Sequence, residues 1–354
     1  MEQTVRDYLT DTMARYPRAE LGDLYKALFQ GAFGCAHAVQ DGEQAEDWIL
    51  REGAALEETV LPLVEPLPGE YSRVSLQWLR EGLSPRSLAR LFQLSARPAP
   101  RGTDALEESL KLLPELAGQG LLPFSAEEAQ AAVSEWRSAG FPACHHSAAF
   151  RDAYRPAYRL ILKEYVPLLP LFSAIDRKLA QAEQPVILAM DGGSAAGKTT
   201  LALFLQRHYG CAVLHMDDYF LQPAQRTPER LAQPGGNVDY ERFLQEVLLP
   251  LRQGKSAFVR AYHCQTDTLL PPQPVSPGAL YLVEGAYSMH PALRAHYDLS
   301  VFLEVTPEVQ RERILRRNSP ELQQQFFSRW IPLEQQYFAA CDVPAQCTLR
   351  LGLR

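Results

Sequence analysis

The sequence predicts a mainly α-helical domain over residues 1–182, followed by an α/β domain over residues 183–354 whose parallel sheet carries helices on both faces. Three observations support this. A chain of 354 residues is long enough for two domains. In the first half, apolar residues recur every three or four positions, as in helices packed on a core. In the second half, short apolar runs alternate with helical stretches, the pattern of a parallel sheet covered by helices.

The first half contains several apolar stripes with helical spacing. They cover residues 21–29, 48–56, 76–83, 88–94 and 106–116, and Pro-rich or Gly-rich segments separate them. No alternating strand pattern is found here. A last helical stretch, broken near Pro156, ends in a polar segment before Pro185, which sets the predicted domain boundary.

The second half alternates between the two kinds of element. Strands are predicted over residues 186–190, 212–216, 257–262, 279–285 and 299–305, and helices over residues 197–208, 239–251 and 307–317. Ligands of such sheets bind at the carboxyl ends of the strands. The polar residues of interest follow these strands.

Composition excludes some classes of protein. The net charge of −7 argues against a general nucleic-acid binder or a protein that adheres to anionic membranes. No stretch approaches the ~18 apolar residues of a membrane span, and the first residues do not form a secretory signal. The six cysteines have no paired spacing, which favours reduced thiols. We therefore expect a cytoplasmic protein; self-association into a homo-oligomer stays open.

A complete phosphate-binding loop follows the first strand of the second half. Its residues are Gly192, Gly193, Ser194, Ala195, Ala196, Gly197, Lys198, Thr199 and Thr200. Glycines let backbone N–H groups surround phosphate oxygens, and the following helix points its positive end at them. Lys198 supplies a cation for the outer phosphates, and the Thr199 hydroxyl ligates magnesium. The loop predicts binding of ATP and Mg²⁺; the alternative is a Gly-rich turn without function.

Two further strands end in acidic residues. Asp217 and Asp218 follow residues 212–216, and Glu284 ends the run at 279–285. A carboxylate beside the phosphate loop can accept the proton of an attacking hydroxyl and help to hold magnesium. Aspartates and glutamates at such positions also occur as helix caps or turn residues, and this alternative remains.

Two arginines lie on one face of the last predicted helix. Arg313 and Arg317 are four residues apart, so their side chains point the same way. Arginines that close over nucleotide phosphates neutralise charge that develops in the transition state. The alternative is a solvated basic surface near a helix C-terminus.

Taken in order, these motifs resemble the uridine kinase and phosphoribulokinase group of P-loop kinases across residues 183–350. The matching pieces are GGSAAGKTT (192–200), MDDYF (216–220), GGNVDYERF (235–243), VRAYHCQT (259–266), YLVEGAY (281–287) and RERILRRN (311–318). The first piece is common among nucleotide-binding proteins, whereas the ordered set is much more specific.

The resemblance implies roles for individual residues. Asp217, rather than Asp218, would be the general base, and Glu284 would surround magnesium together with Thr199 and Asp217. Asp239 would lie near a sugar hydroxyl of the acceptor, Tyr262 beside its ring, and Asp218 close to the substrate. Arg313 and Arg317 would belong to a lid helix that contacts nucleotide phosphates and acceptor.

The chain departs from the family pattern around the acceptor. Asp267 stands where uridine kinases carry a histidine that reads the base, and Val238 replaces an aromatic residue. The Arg-Gly-rich lid tail is replaced by residues 318–338. The phosphoryl-transfer residues therefore match the family better than the base-recognition residues do.

The first half matches no family that we recognise, but two spots contain metal-ligand residue types. Cys35 and His37 form one, and Cys144, His145 and His146 form the other. They could assemble a zinc site, although buried thiols and structural histidines are favoured.

A third spot is the tract at residues 151–159, which is rich in Arg and Tyr. It predicts either a pocket for an anionic or ring-bearing ligand or a helix with arginines on its surface.

The sequence thus predicts an ATP-dependent kinase whose substrate is a small nucleoside-like or sugar-like metabolite with a hydroxyl group. Its partners would include neither nucleic acid nor membrane. Two alternatives stay open: a nucleotide-binding regulatory protein whose helical half binds a partner, and a bifunctional enzyme whose helical half has its own activity.

Overall fold

The computed structural model describes residues 4–35, 42–99 and 101–352. The chain forms two compact units, residues 1–169 and 170–354. Within the described ranges, no helix is long and apolar enough to cross a membrane.

The first unit is mainly helical. Its helices are α1 (Val5–Arg15), α2 (Leu21–Phe33), α3 (Gly42–Ala54), α4 (Pro85–Leu94), α5 (Gly102–Leu110), α6 (Leu112–Gly118), α7 (Ala126–Ser138) and α8 (Ala148–Tyr154). Serine or threonine side chains cap four of them, at Thr4, Ser84, Ser125 and Ser147. These caps satisfy backbone N–H groups that a helix leaves unpaired at its start. The predicted helical character is confirmed.

The first unit also contains a small antiparallel sheet that the sequence pattern did not predict. Its strands, β1 (Val64–Pro66), β2 (Tyr71–Ser75) and β3 (Tyr158–Leu162), lie in the order β1-β2-β3. All five residues of β2 are buried, so β2 lacks the alternation by which strands are recognised. The chain after Pro156, predicted as helix, forms β3 instead, because α8 ends where Arg155 adopts a left-handed conformation with φ 46°.

The second unit is built on a five-stranded parallel sheet. The strands of the unit, including those outside this sheet, are β4 (Val186–Gly192), β5 (Ala212–His215), β6 (Phe258–Val259), β7 (Tyr262–His263), β8 (Thr268–Leu269), β9 (Gln273–Pro274), β10 (Leu280–Glu284), β11 (Leu299–Glu304) and β12 (Leu349–Gly352). The main sheet has the order β12-β11-β4-β10-β5 with every neighbouring pair parallel. The predicted α/β fold with a phosphate-binding loop is confirmed.

Helices cover this sheet. They are α9 (Leu169–Gln181), α10 (Lys198–Tyr209), α11 (Pro228–Leu231), α12 (Tyr240–Phe243), α13 (Leu249–Arg252), α14 (Pro307–Arg317), α15 (Pro320–Gln325), α16 (Ile331–Ala340) and α17 (Val343–Gln346). A π-helical turn joins α12 to α13, and another joins α15 to α16. The run from α12 to α13 corresponds to the helix predicted over residues 239–251.

One strand assignment from the sequence was wrong, and one strand of the main sheet was not predicted. Residues 257–262 do not enter the main sheet. They contribute β6 and β7 to two separate two-stranded antiparallel sheets, in which β6 pairs with β9 and β7 pairs with β8. The fifth strand of the main sheet is β12, which was not predicted because it has only four residues and includes Arg350.

The units divide at residues 169 and 170, whereas the sequence placed the boundary after residue 182. The helix α9 belongs to the second unit because its aromatic side chain packs there. The Phe172 ring lies 4.6 Å from the His208 ring and 5.8 Å from the Tyr209 ring, measured between centroids. The Tyr209 hydroxyl also donates to Asp176, at 2.9 Å.

We predict that a fragment of residues 170–354 unfolds with a higher free energy than a fragment of residues 183–354. The shorter fragment lacks Phe172, which is fully buried, and loss of such a residue costs at least about 3 kcal/mol. Urea unfolding followed by circular dichroism measures the difference. Equal stabilities would show that α9 is not part of the C-terminal folding unit.

Candidate active site

The phosphate loop connects β4 to α10 through backbone conformations of positive φ. The φ angles are 144° at Gly192, 59° at Ala195 and 101° at Gly197. A Cβ atom on Gly192 would stand only 2.5 Å from the Leu303 carbonyl oxygen of the neighbouring β11, so glycine is required at this turn. Such a succession of turns directs N–H groups into one concavity, which binds anions.

The Lys198 side chain lies back across this loop. Its Nζ donates to the carbonyl oxygens of Gly192 at 2.8 Å and Gly193 at 3.0 Å. Burial raises the pKa of the Asp191, Asp217 and Glu334 carboxyls, and the positive charge of Lys198 opposes this rise in all three. The ammonium group therefore lies among several acids at one edge of the sheet.

The predicted magnesium ligands Thr199 and Glu284 are in direct contact. The Thr199 hydroxyl donates to Glu284 Oε1 at 3.1 Å, and His215 Nδ1 lies 2.7 Å from the same oxygen. Glu284 and His215 are paired across β10 and β5, which explains their proximity. The hydrogen bond to Glu284 raises the pKa of His215. His215 was not predicted, although its place at the end of a strand beside Glu284 was a usable signal.

Asp217 lies in a 3₁₀ turn directly after β5. The residue is exposed to solvent. The surrounding protein nevertheless excludes enough water to raise its pKa, and the negative charge of Glu284 adds to this rise. The structure thus brings Asp217 near Lys198 and Glu284, as the family resemblance implied.

These oxygens fit magnesium. Mg²⁺ prefers hard oxygen ligands and is commonly held by one or two protein groups together with substrate phosphates. Thr199, Asp217 and Glu284 offer such a set. Within the described part of the chain, no three His, Cys, Asp or Glu side chains are grouped so that they could hold a metal ion alone.

Asp218 lies on a different side of the turn. It lines a cleft of about 740 Å³ beside the edge strand β5, together with residues such as Val259 and Leu270. Neither Asp239 nor Tyr262 lines this cleft. Burial raises the pKa of Asp218.

Asp239 is buried and its carboxylate is held by protein groups. It caps α12 by accepting from the Arg242 backbone N–H at 3.1 Å, and it accepts from Gln225 Nε2 at 2.9 Å. The Arg242 guanidinium lies 3.4 Å away. Asp239 therefore has a structural role as a helix cap besides the substrate contact that the resemblance implied.

Tyr262 forms a triad with two other side chains. Its hydroxyl accepts from Arg226 at 2.7 Å and donates to Asp267 through a short hydrogen bond. Arg226 and Asp267 also form an ion pair at 3.4 Å. Asp267, which departs from the family histidine, thus contacts the tyrosine predicted to lie beside the acceptor. Arg226 was missed because it lies between two quoted motifs, MDDYF (216–220) and GGNVDYERF (235–243).

One of the two predicted lid arginines contacts the phosphate loop. Arg313 donates to the Ala195 carbonyl at 3.0 Å, and Gln310, one turn earlier on α14, donates to the Ser194 carbonyl at 2.8 Å. Arg317 is exposed one turn further along the helix.

Sequence reasoning missed Glu334 and Asp191. Glu334 on α16 accepts hydrogen bonds from the Ser194 backbone N–H at 2.9 Å and the Ser194 hydroxyl at 2.5 Å. Asp191 is fully buried; it accepts from the Met289 N–H and from the Tyr337 hydroxyl, both at 2.9 Å, and burial raises its pKa to about 6. Glu334 falls in residues 318–338, which matched no family motif.

The Cys and His residues of the first unit that could have formed a zinc site are placed only in part, because His37 lies outside the described residues. Cys35 is buried and its thiol contacts the Phe92 and Leu160 carbonyls. His146 is bound to Asp23 at 2.7 Å. Cys35 and Cys144 line the same cleft.

The fold and the phosphate loop define the second unit as a P-loop nucleotide-binding domain of the kinase type. Comparison with known families agrees: residues 187–321 match the model of the Phosphoribulokinase / Uridine kinase family. The resemblance inferred from the motifs is therefore confirmed for this part of the chain.

Two curated proteins illustrate the similarity. The chain is 31% identical over 211 residues to the bifunctional alpha-galactosidase/sucrose kinase AgaSK of Mediterraneibacter gnavus, covering 53% of this chain and 22% of that protein. It is 27% identical over 148 residues to Uridine kinase-like protein 3 of Arabidopsis thaliana, covering 39% and 32%. The chain thus spans less than a third of the length of either relative.

A solved structure, described as a possible uridine kinase from Bacillus stearothermophilus, is 22% identical. It aligns with a TM-score of 0.38 and covers 51% of this chain and 98% of its own.

We predict that Glu334→Gln strengthens nucleotide binding. Glu334 places a negative charge beside the loop that would hold the negatively charged phosphates, and like charges a few ångströms apart repel by about a kcal/mol. Removal of this charge should therefore lower the dissociation constant for ATP by about three- to tenfold. Titration with a fluorescent ATP analogue measures this, with Glu321→Gln on the exposed start of α15 as control. Weaker binding in Glu334→Gln would show instead that the carboxylate keeps the loop in its binding conformation.

Proposed function

We propose that the second unit is an ATP- and magnesium-dependent kinase that transfers the γ-phosphoryl group to a hydroxyl of a small nucleoside-like or sugar-like metabolite. The observation that carries this proposal is the position of Asp217, after β5 and near Lys198 and the Thr199–Glu284 pair. A protein that only binds nucleotide does not need a carboxylate of raised pKa at this place.

In the proposed reaction, Asp217 accepts the proton of the acceptor hydroxyl. Burial raises its pKa, which makes it a stronger base than an ordinary aspartate. Lys198 neutralises charge on the outer phosphates, and Arg313 can reach them from the phosphate loop that it contacts. Magnesium, when held by Thr199, Asp217 and Glu284, supplies further neutralisation of phosphate charge. Catalysis then rests on positioning and electrostatics.

The acceptor would lie beside Asp239 and Tyr262, as the family resemblance implies, whereas Asp218 lines a separate cleft. The pair Arg226–Asp267 beside Tyr262 presents charged hydrogen-bonding groups, which suit the hydroxyls of a sugar as well as the edge of a base. One relative is named a sucrose kinase and another uridine kinase-like, so both acceptor classes are supported.

A second reading, the bifunctional enzyme, is favoured by one observation. The first unit has its own cleft of about 330 Å³ lined by charged and aromatic side chains. Such a cleft is suited to a ligand independent of the kinase reaction.

We expect Lys198→Ala to abolish phosphoryl transfer, because no other lysine stands in the phosphate-loop motif. ADP release with ATP and magnesium, screened across nucleosides, sugars, sugar phosphates and other alcohols, is the measurement. Lys255→Ala, which removes an exposed lysine of the same unit, is the matched control. Turnover retained in Lys198→Ala would show that the phosphate site has been assigned wrongly.

We expect Asp217→Asn to leave ATP binding intact but to slow transfer by about 10²–10⁴-fold, the usual contribution of a general base. In the unaltered protein, kcat/KM should rise with pH as the Asp217 carboxyl ionises, because only the ionised carboxylate accepts a proton. This limb should be absent in Asp217→Asn. Asp218→Asn is the control; a larger loss there would move the base to Asp218.

A further inference from the structure

A chain of hydrogen bonds in the first unit joins Asp23, His146 and Tyr158. His146 Nδ1 lies 2.7 Å from Asp23 Oδ1, and His146 Nε2 lies 2.7 Å from the Tyr158 hydroxyl. Burial opposes ionisation of Asp23, but hydrogen bonds from His146 and Ser147 lower its pKa overall. Burial also lowers the pKa of His146. With Nδ1 donating to the Asp23 carboxylate, a neutral imidazole presents Nε2 as an acceptor for the Tyr158 hydroxyl.

A second set of contacts fixes the other side of the Tyr158 hydroxyl. Gln30 Oε1 accepts two hydrogen bonds from Arg73, at 2.9 and 2.8 Å, so the Gln30 amide must point its NH₂ group elsewhere. That group donates to the Tyr158 oxygen at 3.2 Å. Arg73 is itself paired with Glu65 at 3.1 Å and lies over the Tyr158 ring, 5.0 Å from its centroid. The Tyr158 oxygen is thus held in one orientation from both sides.

Two members of this network, Gln30 and Tyr158, line a cleft of about 330 Å³. The cleft has aromatic walls, formed by Phe29, Trp48 and Phe92. Lys26 lines the same cleft, and its ammonium donates to the Cys144 carbonyl at 2.7 Å. Among the described residues this is its one hydrogen bond, so its other N–H groups remain for a ligand.

The rim of the cleft carries an ion pair. Arg159 binds the Glu52 carboxylate with both terminal nitrogens, at 3.0 and 2.9 Å. The charge of this arginine is therefore balanced, so Lys26 supplies the net positive charge of the cleft. Tyr158 and Arg159 belong to the Arg- and Tyr-rich tract in which the sequence predicted a ligand pocket as one of two readings.

Buried polar networks cost desolvation energy, and a core of apolar side chains could have stabilised the unit as well. Here two members of the network, Gln30 and Tyr158, line a concave cleft with aromatic walls together with Lys26. Apolar walls with a few convergent polar groups are the usual build of a small-molecule site. The arrangement is thus better explained by binding than by stability alone.

We propose that this cleft binds a ring-bearing metabolite with an anionic group and a hydroxyl or N–H donor. The ring lies against Phe29, Trp48 and Phe92, the anion contacts Lys26, and the donor contacts the Tyr158 oxygen. His146 and Asp23 are positioning residues, because they act through Tyr158. This site is separate from the kinase site and does not depend on the kinase reaction.

The test uses full-length protein and the fluorescence of Trp48, which lies in the cleft wall. The probes are two matched pairs: 4-hydroxybenzoate with 4-hydroxybenzamide, and uridine 5′-monophosphate with uridine. Saturable quenching by the anionic member of at least one pair, about tenfold tighter than its neutral partner, is expected from a charge-assisted hydrogen bond. Quenching should be lost in Trp48→Phe, which separates this cleft from binding elsewhere. The pair that responds distinguishes a carboxylate ligand from a phosphate ligand.

Two variants then assign the contacts. Lys26→Met removes the ammonium but keeps an unbranched side chain of similar shape, and it should abolish the preference for the anion. Tyr158→Phe removes one oxygen atom and should weaken binding about tenfold. Tyr165→Phe is the control, because Tyr165 lies in the same unit but does not line the cleft, and it should leave binding unchanged. If Tyr158→Phe fails to fold, the anion preference measured in Lys26→Met alone tests the proposal. The proposal is overturned if no probe quenches Trp48, or if anion preference is unchanged in Lys26→Met.

Discussion

The second unit depends on the sharp turn between β4 and α10. This turn is possible because Gly192 and Gly197 adopt positive φ, and because Gly192 has no Cβ to collide with the Leu303 carbonyl of β11. The central position of β4 in the parallel sheet then places the turn between the ends of its neighbours β10 and β11. Gln310 and Glu334, on two later helices, bind the same loop through Ser194. The loop is therefore fixed from the sheet and from the helices that follow it.

The electrostatics of the site follow from this convergence. Asp191, Asp217 and Glu334 all have raised pKa values because burial disfavours their charged forms, and the charge of Lys198 only partly opposes the rise. An excess of acids over cations in a partly buried site destabilises the folded protein when no ligand neutralises it. It is suited to a site that receives a divalent cation with its substrate, since the cation reverses the local balance. This supports the proposed use of magnesium by an argument independent of the sequence motifs.

What the sequence could predict is what is encoded locally. The phosphate loop, the acids Asp217 and Glu284, and the alternation of strands and helices all lie in short contiguous patterns, and the structure places them at one edge of the sheet. The contact of Glu334 with Ser194 joins residues 140 positions apart. No local pattern marks it. The strand β12 and the hairpin of β7 and β8 were likewise missed or misplaced, because two to four residues carry no reliable periodicity.

The hydrogen-bond network around Tyr158 in the first unit was also not predictable from local sequence patterns. Asp23 and Gln30 are seven residues apart on α2, so two turns of helix place them on one face. Arg73 and Tyr158 are diagonal neighbours across β2 and β3, since Ser75 pairs with Tyr158 and Arg73 with Leu160. Each pair can be placed from a single helix or a single strand register. The contact between the two pairs cannot, because it requires α2 to pack on a sheet that the sequence did not predict. A site assembled in this way becomes visible only once the antiparallel pairing is known.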